Sequence, residues 1–207
     1  MLETFFAMDT ALILTFTGAG ILLNITPGSD VAFSMASGIS GGPRAGIAAA
    51  TGIAFGGLTH MMFAVLGISA ALMAVPHAYD MIRYLGAAYL ILLAIKTWRA
   101  PPELEKARGA TRLFSALKRG YLTNLLNPKV ALFIVAFLPQ FTRPEAGPIW
   151  QQILILGLIF NASGLIINST YGIAAGLAGQ RIIRMGGTLN KITSIVFGGL
   201  AARLIWE

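Results

Sequence analysis

Gly20-Ile21-Leu22-Leu23-Asn24-Ile25-Thr26-Pro27 and, one hundred residues later, Gly120-Tyr121-Leu122-Thr123-Asn124-Leu125-Leu126-Asn127-Pro128 open on the same Gly-x-Leu-x-Asn frame and close an apolar run with proline. A proline inside an apolar helix removes one hydrogen bond and clashes with the preceding turn. Backbone polar groups freed at membrane depth are tolerated where they line a cavity. The two stretches therefore predict a membrane protein made of two related halves, with a transport site where two broken helices meet.

Composition supports a membrane protein. Hydrophobic residues make up 56% of the 207 and charged residues 11%, against roughly 25% charged in soluble domains. Many of the 24 glycines fall inside apolar runs, where small residues let helices approach closely. With no cysteine and two histidines, disulfides, thiolate sites and thiol redox chemistry are excluded, and neither a metal site nor a cofactor is expected. The net charge of +7 follows membrane topology rather than nucleic-acid binding, because the basic residues fall mostly between apolar segments. A cleavable signal peptide is not expected, since the first basic residue is Arg44 and the amino-terminal region carries Glu3 and Asp9.

At about 20 apolar residues per crossing, six segments are expected: 11–25, 47–72, 82–98, 121–140, 149–177 and 192–206. The third and sixth end in Trp98 and Trp206, placed like interfacial anchors. Arg44, Lys96, Arg99, Lys106, Arg108, Arg112, Lys118, Arg119, Arg181, Arg184 and Lys191 fall on one side, whereas Arg83, Arg143 and Arg203 fall on the other. The positive-inside rule makes the first side cytoplasmic and puts both termini outside. The basic stretch 99–118 reads as a solvated cytoplasmic loop joining halves 8–98 and 119–206 of one transmembrane domain, 1–207.

Gly52, Phe55, Gly67, Ile68, Ala70 and Leu72 recur at an offset of 105 as Gly157, Phe160, Gly172, Ile173, Ala175 and Leu177. Three segments per half is an odd number, so the halves enter the membrane from opposite faces. The expected fold is all-α and integral to the membrane: six transmembrane helices as two inverted three-helix repeats, the first and fourth helices broken by proline. Gly157, Asn161, Gly164, Asn168 and Gly172 form one helical stripe, matched by Gly52, Gly56, Thr59, Phe63 and Gly67. Both stripes are expected to face the interior, with Asn161 and Asn168 as interhelical glue or as cavity lining. The small residues Gly42, Gly46 and Ala50 suit either a homodimer or internal packing.

The first break, Asn24 to Asp30, opens the backbone with Pro27 and Gly28 and closes with a carboxylate. Asp30 either carries protons or substrate charge, or caps the helix starting at Val31. The second break brings the opposite charge, Lys129, the one basic residue well inside an expected span. Lys129 either binds a substrate carboxylate or pairs with Asp30, or else snorkels to the headgroups. Asn24, Asn124 and Asn127 are expected to satisfy groups released by Pro27 and Pro128. His60 is either a hydrogen-bonded packing residue or a proton relay; Tyr84, Tyr89 and Tyr171 are either packing or cavity lining.

These motifs closely resemble the lysine exporter superfamily, in its homoserine and threonine resistance-type branch of bacterial amino-acid exporters. The resemblance rests on Asn24, Pro27, Gly28 and Asp30, the glycine-rich run Gly38, Gly42, Arg44, Gly46 and Gly52, then Gly120, Thr123, Asn124, Asn127, Pro128, Lys129 and Phe133, and Gly86 to Leu90. Ser29 departs from it, standing where the family pattern usually has a second proline. The resemblance implies proton-driven efflux of homoserine, threonine or similar neutral amino acids, or close derivatives, across the bacterial inner membrane, with amino acid, protons and lipids as partners and no enzymatic activity. Inorganic or metal-ion export, known in related branches, is the alternative; the lack of cysteine and of acidic or histidine clusters counts against it.

Overall fold

The breaks at Pro27 and Pro128 interrupt helices in a chain that is otherwise almost entirely helical; the structure, a computed structural model, describes residues 1–74, 78–99, 107–179, 191, 194–196, 198–199 and 201–202. A short α1 (Leu2–Ala7) leads into α2 (Thr10–Ile25), whose first turn is capped by Asp9 accepting from Ala11 N at 2.8 Å. The backbone turns extended at Thr26, and α3 starts at Ser29 and runs to Ala74. After α4 (Ala78–Arg99), α5 (Leu113–Leu125) ends just before the second break. There α6 (Pro128–Leu132) restarts the helix and passes through a π-turn, Phe133–Phe137, and a 3-10 turn, Leu138–Phe141. The last fully described element is α7 (Ile149–Ala178).

Ser29–Gly67 and Ile149–Ala178 are each long and apolar enough to cross a membrane, and Leu113–Leu125 with Pro128–Phe141, bent by 50° at the break, makes a third candidate. The 39 residues of Ser29–Gly67 would extend about 58 Å as one rod, nearly twice a hydrocarbon core of about 30 Å. Gly42, at φ 77° and ψ 178°, divides that rod directly before Pro43. Gly147, at φ 112°, stands directly before Pro148 at the start of α7. These Gly-Pro pairs are 105 residues apart, the offset of the sequence repeat, and both glycines adopt a left-handed φ that other residues avoid. The expected sixth segment, 192–206, lies mostly outside the described residues, as does Trp206.

The core is built on glycine. A Cβ on Gly46 would lie 2.7 Å from the Gly172 backbone, and one on Gly172 would lie 2.8 Å from Gly46 Cα. Gly38 and Gly176 meet α7 and the Pro43 turn in the same way, so α3 and α7 touch backbone to backbone. Gly46 is therefore committed to internal packing. On the other side of α3, Ala116, Gly120 and Asn124 of α5, at fourfold spacing and all buried, face Ala49, Gly52 and Gly56. A second core stacks Phe16 of α2 on Phe133, Phe137 and Phe141, with Phe133 also against Phe160 at 5.0 Å. Gly172→Val is expected to cost at least about 1–3 kcal/mol through overpacking, read as a lower thermal midpoint of the purified protein. An unchanged midpoint would mean that the α3 and α7 backbones do not meet there.

Two expectations are corrected. The α3 stripe is only half interior: Gly52 and Gly56 pack on α5, whereas Phe63 is exposed and a Cβ on Gly67 would meet open space. Since α5 ends at Leu125, it offers the later part of that stripe no partner. The basic stretch is not wholly solvated either, because α5 already begins at Leu113. Residues 107–112 lie against α3, where Ala110 N donates to Ser37 Oγ at 3.2 Å and Gly109 meets the Ala36 backbone. Arg119 holds this segment by donating to the carbonyls of Arg108 and Gly109, with its guanidinium over the Phe33 ring at 5.1 Å.

Candidate functional site

In an α-helix each N–H donates to the carbonyl four residues earlier, so Pro27 deprives Leu23 O of its donor and Pro128 deprives Asn124 O. Both carbonyls are met by side chains distant in sequence, and Asn124 O also by the nearby Asn127 N at 2.9 Å. Lys129 Nζ donates to Leu23 O at 2.9 Å and to Thr26 O at 3.2 Å, while Tyr171 Oη donates to Ile25 O at 3.1 Å. A cation at a helix carboxyl end also complements the local dipole. At the second break His60 Nε2 donates to Asn124 O at 3.1 Å; since a carbonyl only accepts, the ring proton sits on Nε2. Asn127 caps α6, its Oδ1 accepting from Lys129 N at 3.0 Å, and Tyr89 Oη donates to Lys129 O at 3.2 Å.

The two breaks are joined by side chains. Asn124 Nδ2 donates to Asp30 Oδ2 at 2.7 Å, linking residues 94 apart. Asp30 stands in the first turn of α3 and is 9% exposed. Asp30, Lys129, Asn24, Gly28, Asn127 and Asn168 share a chamber of about 20 Å³. Next to it lies a cleft of about 420 Å³ whose wall includes Pro27, Gly28, Ser29, Asn127, Pro128 and Lys129, with Leu92, Leu126 and Leu132 as apolar lining and Lys96 contributing a second cation. Chamber and cleft have Thr26, Gly28, Asn127 and Lys129 in common.

The sequence-derived candidates thus separate by place. Asp30, Lys129, Asn24, Gly28, Asn127 and Asn168 converge on the chamber, and Pro27 and Pro128 shape the cleft. Asn124 holds Asp30 instead of released backbone. Asn24 likewise meets no released backbone, its Nδ2 donating to Phe160 O and Ser163 Oγ of α7 at 3.2 and 3.0 Å. His60 packs on α5, and Asn161 faces Gly57 of α3. Among the described residues no three of His, Asp and Glu come together to hold a metal ion.

Sequence reading did not assign Tyr171 to a carbonyl at the first break or Tyr89 to the α6 backbone, nor Thr26 and Ser163 to the site. The rule that a proline orphans the carbonyl four residues earlier would have prompted a search for donors. His60→Leu removes one such donor from a carbonyl that keeps Asn127 N, and is expected to cost about 0.5–1.5 kcal/mol, the net worth of one hydrogen bond. His60→Gln keeps an N–H and should recover much of that stability with transport intact. Transport lost in His60→Gln despite wild-type stability would instead assign His60 a relay role.

The family model described as LysE type translocator matches residues 21–207. The chain is similar to the homoserine/homoserine lactone efflux protein of Salmonella typhimurium, at 31% identity over 85% of this chain and 87% of that protein. It is also similar to the leucine efflux protein of an Enterobacter species, at 30% identity over 92% and 93%. An uncharacterized membrane protein of Vibrio cholerae is 31% identical over 93% and 94%. No solved structure is significantly similar to the chain. With a matching model over nearly its whole length and apolar helices able to span a bilayer, the chain is a membrane transporter rather than an enzyme, and it belongs to the LysE-type translocator family.

Proposed function

We propose that the protein exports neutral amino acids or their close derivatives from the bacterial cytoplasm across the inner membrane by proton antiport. In this reading six transmembrane helices form two inverted three-helix repeats, both termini are periplasmic, and access alternates around the two proline breaks. The observation that carries it is the convergence of one buried carboxylate and one lysine on the same chamber beside a cleft of about 420 Å³, within the range of small-molecule sites. A zwitterion satisfies both charges: Lys129 and the first-turn amides of α3 take its carboxylate, and Asp30 takes its ammonium. Asp30 cannot hold a proton and an ammonium together, so exchanging one for the other couples their movements in opposite directions. The apolar lining of the cleft suits an uncharged side chain. Relatives that carry homoserine and leucine agree with that class.

The test is export itself. Cells expressing the protein are loaded with dipeptides, and every amino acid appearing outside is quantified over time. A rise limited to a few neutral amino acids and abolished by an uncoupler is expected. No rise for any amino acid or its lactone, despite verified membrane insertion, would overturn the proposal in favour of ion export.

A further inference from the structure

Two buried side-chain oxygens that belong to residues lining the chamber of about 20 Å³, Asp30 Oδ1 and Asn168 Oδ1, make no hydrogen bond, and Asn168 is 3% exposed. Their orientations are fixed by their other atoms. Asp30 Oδ2 is taken by Asn124. Asn168 Nδ2 donates at 2.9 Å to Gly164 O, which can only accept, so Oδ1 is the acceptor end of the amide. A buried acceptor left unmet is costly, and the space holds one water-sized group. The shared wall with the cleft leaves the rest of a larger molecule room to lie outside.

Resting on the amino-acid export reading above, we infer that this chamber seats the substrate's α-ammonium group, accepted by Asp30 Oδ1 and Asn168 Oδ1. A primary ammonium offers three donors on a centre the size of a water molecule, matching two unmet acceptors on residues that line so small a space. A bare monovalent cation fits less well, because Lys129 already brings positive charge to the same chamber; a zwitterion brings a carboxylate with its ammonium. Asn168 is thus a specificity-determining residue on α7. The chamber rejects any substrate whose nitrogen carries an acyl group, which adds bulk and removes the charge.

The test uses the full-length protein in liposomes and follows counterflow of L-leucine and L-homoserine, with N-acetyl-L-leucine as competitor, in sodium or N-methyl-D-glucamine buffers. Asn168→Leu should raise KM about tenfold or more, as for loss of a hydrogen bond to a charged group. Asn168→Ser, whose hydroxyl can donate to Gly164 O and still accept, should raise KM less than Asn168→Leu. N-acetyl-L-leucine should not compete. The inference is overturned if N-acetyl-L-leucine competes as well as leucine, if Asn168→Leu keeps the wild-type KM as a merely bound water would allow, or if Asn168→Leu abolishes a sodium dependence. Should Asn168→Leu fail to fold, the acetylated competitor still decides, since that arm needs only the wild-type protein. Wild-type protein that moves neither amino acid would overturn the export reading itself, a separate outcome.

Discussion

Replacing Lys129 by methionine will lower export at least about a hundredfold and will also destabilise the protein by about 1–3 kcal/mol, the range for leaving buried acceptors unmet. Both effects trace to the same ammonium. It donates to Leu23 O and Thr26 O at the end of α2 and supplies positive charge to the chamber that holds Asp30. Methionine fills similar space but leaves two carbonyls without this donor and a buried carboxylate without this counter-charge. The double variant Lys129→Met with Asp30→Asn removes both charges and should recover part of the lost stability without recovering export, a coupling that additive behaviour would exclude. Stability is read from the thermal midpoint of the purified protein, and export from the dipeptide-loading assay. A single variant with wild-type export and midpoint would show that Lys129 serves only the membrane surface.

Asp30→Asn is expected to abolish uncoupler-sensitive export, again by at least about a hundredfold, while leaving the fold in place. The substitution nearly preserves shape, and its amide oxygen can still accept from Asn124 Nδ2, so the link between the breaks survives. The charge that would attract an ammonium and the site that would carry a proton are both removed. The decisive comparison sets active export against exchange down a substrate gradient, in protein shown to be folded. Full uncoupler-sensitive export by Asp30→Asn would remove Asp30 from the coupling step.

The proline breaks were legible because prolines in apolar runs have one local consequence. The repeat at an offset of 105 pointed to α3 and α7 as counterparts, and the expected segment 149–177 falls within one residue of α7 at each end. Legibility failed where a neighbour decides. Nothing local pairs Asn124 with Asp30, 94 residues away, or directs Asn24 to α7. The start of α5 at Leu113 was hidden by Arg112, Lys118 and Arg119, which resemble a loop until Ala116 and Gly120 are seen to pack on α3. Gly42-Pro43 lay inside a run of small residues where many helical and broken readings compete, and only the left-handed φ of Gly42 separates them.

The glycine contact between α3 and α7 restricts how the molecule can move. Interfaces switch between discrete arrangements by re-seating side chains, and Gly38, Gly46, Gly172 and Gly176 have none to re-seat. Sliding either helix along its neighbour would carry the Cβ atoms of adjacent residues into opposing backbone. The two helices therefore behave as one stiff strut through the transport cycle. Rearrangement falls to the Thr26–Gly28 and Leu126–Asn127 linkers, whose carbonyls and caps are held by movable side chains rather than by a helical ladder.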